Sequence, residues 1–106
     1  NEATQRVYAL QDEGNHLSAK VGEDSDDRRT ILKVLNNQEF IAVGIRLKAF
    51  DEGVYKQLQY NNVVKLWNAT SGFIHELRKM DGKGTLFQDF ETLAKRWEKK
   101  PIKKIC

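Results

Sequence analysis

The only proline in the chain is Pro101, in the last turn's worth of a 106-residue sequence. Proline removes a backbone donor and clashes with the preceding helical turn, so its absence from the first hundred residues lets long helices run unbroken. The apolar residues recur at the matching period. Ile31, Val34, Leu35, Ile41, Ala42 and Ile45 fall within about 120° of one another on a helical wheel. Leu32, Phe40, Val43 and Leu47 widen that sector. A helix apolar over so much of its circumference is expected to lie centrally, with neighbours on several sides. It also carries more apolar surface than short neighbours cover. Asp24 or Ser25 supplies its N-cap, and Glu23, Asp24, Asp26 and Asp27 suit the positive end of its dipole. It is expected to end near Lys48.

The same period places the other elements. Residues 2–13 read as a short helix with Ala3, Val7 and Leu10 on one side, and residues 14–23 read as a loop. Asp51 is a candidate N-cap for a short helix containing Val54, Tyr55 and Leu58, with a restart at Asn61 or Asn62. Val63, Leu66, Trp67, Thr70, Phe73, Ile74 and Leu77 then form a narrow helical stripe. Gly72 falls opposite that stripe. Asp81-Gly82-Lys83-Gly84 reads as a helix stop. A last helix is expected over 85–99, burying Leu86, Phe90, Leu93, Ala94 and Trp97, with Phe87 at the margin. No segment keeps a strand period. The expected fold is all-α, a compact bundle of three main helices with one or two short ones. Residues 1–23 make a short helix and acidic loop, 24–100 the bundle core, and 101–106 a basic tail.

Composition narrows the classes of function. With 40% apolar and 31% charged residues, the chain is too apolar to stay disordered and too charged to be a membrane bundle. Its longest apolar run, Phe40-Ile41-Ala42-Val43-Gly44-Ile45, falls far short of the roughly 20 residues a membrane span needs. One cysteine, Cys106, permits no internal disulfide and no Cys-x-x-Cys metal site. His75-Glu76-Leu77-Arg78-Lys79 lacks the second histidine of a zinc-protease helix, and His16 stands alone in its segment. Gly82-Lys83-Gly84-Thr85 lacks both the earlier glycine of a phosphate loop and the hydroxyl residue directly after the lysine. Asn68-Ala69-Thr70 fits a glycosylation tripeptide but sits within a helical stripe. No catalytic residue, metal site or cofactor is expected.

Two groups of residues stand out. Glu39 lies at the edge of the buried sector of the central helix, where a carboxylate must find a donor. It is read as a structural buried polar group, paired with an arginine or with an indole N–H such as that of Trp97. Lys95, Arg96, Lys99, Lys100, Lys103 and Lys104 form the one dense basic cluster, a candidate site for an anionic surface or nucleic acid. It follows an acidic start: residues 1–27 carry seven acids against two bases. Bases at a helix C-terminus also suit its dipole, and no aromatic side chains interleave these to stack on nucleobases.

Several blocks are similar to known sequences. Arg29-Thr30-Ile31-Leu32-Lys33-Val34-Leu35-Asn36, then Glu39-Phe40-Ile41-Ala42-Val43-Gly44-Ile45-Arg46, then Asp51-Glu52 and finally Ala94-Lys95-Arg96-Trp97 carry the likeness. Over residues 28–97 the chain resembles an uncharacterised bacterial family of small helical proteins. Its members often pair an N-terminal membrane helix with a cytosolic helical domain. The resemblance implies a cytoplasmic domain, tethered to the inner membrane where such a helix precedes it. A start at Asn1 rather than Met agrees with an anchor lying upstream. The resemblance implies no activity. The expected function is that of a non-catalytic helical interaction domain, its partner another protein or a second copy. The alternative is nucleic-acid or anionic-surface binding through the C-terminal cations.

Overall fold

The computed structural model describes residues 2–12 and 17–102. His16, Lys103, Lys104 and Cys106, singled out from the sequence, lie outside them. Four α-helices follow in order: α1 (Glu2–Asp12), α2 (Asp26–Arg46), α3 (Glu52–Asp81) and α4 (Gln88–Lys99). A 3-10 helix, Leu17–Lys20, stands within the stretch expected to be loop. Leu17 is buried there, and this short helix packs against α3. There are no strands among the described residues, and the fold is the all-α bundle that the helical period implied. None of these helices is long and apolar enough to cross a membrane.

The helices begin where the sequence placed caps. The Ser25 hydroxyl accepts the Arg28 N–H at 3.2 Å, with Asp26 and Asp27 in the first turn of α2. At the head of α3, Asp51 Oδ1 accepts the Val54 N–H at 2.9 Å. Gly82 ends α3 in the left-handed conformation, at φ 65°, and its N–H returns to the Arg78 carbonyl. An L side chain is strained at that φ, whereas glycine carries no Cβ to clash.

The expected restart at Asn61 or Asn62 does not occur, and α3 runs unbroken for 30 residues. Asparagine lowers helix propensity by well under about 1 kcal/mol, and a restart needs more than that. Tertiary contacts hold the helix on both sides of the pair. Tyr60 stacks on Trp97 with ring centroids 6.1 Å apart, and Val63 is fully buried. Tyr8 of α1 donates its hydroxyl to the Asn62 carbonyl at 3.4 Å.

α4 begins at Gln88, three residues later than expected. Thr85 to Phe87 form a turn instead, closed by the Gln88 N–H on the Thr85 carbonyl at 3.1 Å. Phe87 takes a left-handed backbone, φ 58°, uncommon for an aromatic residue, and its ring is buried rather than marginal. Leu86 is only half-buried. The core joins Val7 and Leu10 of α1, Ile31 and Leu35 of α2, Phe73 and Ile74 of α3, and Phe90 and Trp97 of α4. α2 packs against α1 and α4, while α3 packs against α4 and the 3-10 helix. Part of the wide apolar sector of α2 is left without a neighbour.

Candidate interaction surface

The uncovered sector lies where α2 turns into α3. The end of α2 is closed by two N–H groups, of Ala49 (2.8 Å) and Phe50 (3.2 Å), that share the Gly44 carbonyl. Lys48 takes a left-handed backbone, φ 62°, with its N–H on the Ile45 carbonyl at 3.0 Å. This turn lays the Phe50 ring over the face of α2 at Gly44. A Cβ at position 44 would overlap the ring, so the glycine is what lets Phe50 lie there.

Five large apolar side chains on the end of α2, the turn and the start of α3 stay exposed. Phe40, Leu47, Phe50, Val54 and Leu58 each keep between 41% and 71% of their surface exposed. Phe40 and Phe50 touch, with ring centroids 6.0 Å apart. Beside them runs a shallow groove walled by Ile41, Ala49, Phe50, Val54, Tyr55 and Leu58. Beyond Ile41 and Tyr55 the same seam opens into a polar cleft against α1, where Gln38, Gln59 and Asn62 line the walls. Burial pushes the Tyr55 phenol above its ordinary pKa, and the Gln38 amide opposes the shift. Phe40 and Leu47, which widened the apolar sector on the wheel, belong to the part of it that the neighbouring helices leave uncovered. Periodicity reports that a face is apolar, and the neighbours available decide whether it is covered.

Glu39 is partly buried, but its partner is neither an arginine nor Trp97. Its carboxylate accepts the backbone N–H groups of Phe90 (2.7 Å) and Asp89 (3.4 Å). Phe87, at the N-cap of α4, offers no side-chain acceptor. Glu39 of α2 therefore caps α4 from across the bundle, taking the two donors that an N-cap side chain usually serves. Two turns further along the same face of α2, Arg46 Nε donates to Asp89 Oδ1 at 2.8 Å. The indole N–H of Trp97 goes instead to Glu52 Oε2 at 3.0 Å.

The described members of the basic cluster are partly committed. Lys95 pairs with Glu91 at 2.6 Å, and Arg96 pairs with Glu52 at 2.8 Å. Lys99 and Lys100 are exposed, and the Lys100 carbonyl accepts a hydrogen bond from Lys56 at 2.7 Å. Burial alone would raise the Glu52 carboxyl. Hydrogen bonds from Arg96 and Trp97, with the charges of Arg96 and Lys56, outweigh that and hold it below its ordinary value. At Glu91, burial is likewise outweighed by Lys95 and Arg78, the latter 2.8 Å away. His75 is exposed with its ring at the edge of Trp67. Among the described residues, no three His, Cys, Asp or Glu side chains converge.

A family model described as a domain of unknown function, DUF4760, matches residues 1–97. No curated protein and no solved structure matches the chain.

Proposed function

The chain belongs to this family of unknown function, whose model reaches from α1 to Trp97 in α4, and from that premise we propose that it is a non-catalytic protein–protein interaction domain. The observation that carries the reading is the α2–α3 corner. Five exposed apolar side chains, two of them aromatic and in ring contact, adjoin a groove of the same character. Scattered exposed apolar residues are ordinary on a protein surface; a contiguous group beside a groove is the usual sign of a docking face. The turn that presents it is fixed by the Phe50–Gly44 contact and the Asp51 cap, so the face is formed before a partner arrives. A reading through the C-terminal cations has less support, since Lys95 and Arg96 already serve Glu91 and Glu52.

The test is photo-crosslinking in the cell of origin. A benzophenone side chain is placed in turn at Phe40, Val54 and Leu58, with a control at exposed Asn68, ten residues and about 15 Å further along α3 than Leu58. Discrete protein adducts from the corner positions and none from the control are expected. No adduct at any of the three corner positions would remove the reading.

A further inference from the structure

Resting on that reading, we propose that the occupant of the α2–α3 corner is a second copy of this chain, docked about a two-fold axis. Two observations point to it, and a third sets its strength.

The first is self-complementarity. A two-fold interface requires one surface to carry both halves of the fit. Here Phe40 projects beside the groove, and its contact with Phe50 places it against the wall that bounds the groove. The groove has an apolar floor and sides in Ile41, Val54 and Leu58. Turning one molecule over on another sets each Phe40 against the other's groove.

The second is charge. Residues one helical turn from the apolar group are Asn36 and Asn37 on α2, and Gln57, Asn61 and Asn62 on α3. All are uncharged. The connecting turn adds one charge of each sign, Lys48 and Asp51. A copy of the same face therefore meets no like-charge repulsion. Within that turn an anionic membrane would find one lysine, Lys48.

The third is area. The five side chains expose on the order of 500 Å², a sizeable patch for a monomer but less than the roughly 800 Å² per partner of a tight interface. The dimer is accordingly weak and exchanges rapidly.

Sedimentation equilibrium on the full chain tests this. The wild type should pass from monomer toward twice its mass between about 10 μM and 1 mM. Phe40→Asp and Leu58→Lys should each remain monomeric over that range. Both positions face solvent in the monomer, and circular dichroism verifies that each variant keeps its helix content. Mixing the two variants should restore the doubled mass, because the new charges are opposite and the other pairing is still apolar. A wild type that stays monomeric at 1 mM overturns the second-copy assignment, whether or not it floats with phosphatidylglycerol vesicles. That result leaves the broader interaction reading to the crosslinking outcome. A dimer that neither variant weakens, or variants that do not reassociate when mixed, places the contact elsewhere and also overturns it.

Discussion

The Glu39 carboxylate accepts the Phe90 backbone N–H at 2.7 Å, joining the middle of α2 to the first turn of α4. Because Phe87 supplies no side-chain cap, this is where the first turn of α4 obtains a side-chain acceptor for its amides. Replacing an N-cap acceptor by alanine costs about 0.5–2 kcal/mol. Glu39→Ala should therefore lower the thermal midpoint by several degrees, given about 4–8 °C per kcal/mol for a domain of this size. Glu39→Gln retains an acceptor oxygen and should lose less. Thermal melts followed by circular dichroism check both, and an unchanged midpoint in Glu39→Ala would dismiss the capping role.

The corner makes a second prediction. A methyl group at position 44 must displace the Phe50 ring, an overpacking that costs about 1–3 kcal/mol. This opposes a gain of roughly 1 kcal/mol in helix propensity. Gly44→Ala should thus be net destabilising in the wild-type background. With Phe50→Ala already in place the clash is gone, and the same change should stabilise. Urea denaturation of the four forms measures that change of sign, and additive effects would mean that the ring does not bear on the glycine.

Glu52 and Glu91 give the pH dependence. Both carboxyls titrate below the ordinary glutamate value of 4.5 in the folded chain. The unfolded state then binds more protons, so their stabilisation is complete above about pH 4.5 and is lost as pH falls through the lower folded values. Wild type should exceed the double variant Glu52→Gln, Glu91→Gln in stability at pH 7. The gap should narrow progressively as pH falls below about 4.5. Urea midpoints across that range check it, and a gap independent of pH would assign the effect to packing.

The unbroken course of α3 predicts the outcome at Asn61. Its side chain is exposed, so Asn61→Ala exchanges a weak helix former for the strongest one without removing a buried contact. Stability should rise by about 0.5 kcal/mol. A fall would mean that the asparagine holds a local bend.

What the sequence disclosed, and what it withheld, divides along the range of the interaction. Ser25, Asp51 and Gly82 act on backbone within four residues of themselves, so their capping roles could be read directly. The buried faces holding Ile31, Leu35, Phe73 and Phe90 follow from a period of 3.6 residues, another local regularity. Glu39 was legible as a carboxylate in need of a donor, but its donor lies 51 residues away and belongs to the backbone, which leaves no trace in residue type. The same holds for Phe50, whose place over Gly44 depends on how the turn folds back. Asn61 and Asn62 suggested a break because their local preference is for turns, and the stacking of Tyr60 on Trp97 overrides it. At the α2–α3 corner the wheel identified Phe40 and Leu47 as apolar, and which part of the wide sector stays uncovered depends on where the other helices pack.

Both ends of α4 are completed by groups from other helices, Glu39 at its start and the Lys56 ammonium on the Lys100 carbonyl just past its last turn. Twelve residues are too few to sustain a helix in water unaided. The segment is consequently a dependent one, helical by virtue of its company. Excised as a peptide it would be coil, and a nick that releases α2 would take away the acceptor at its start.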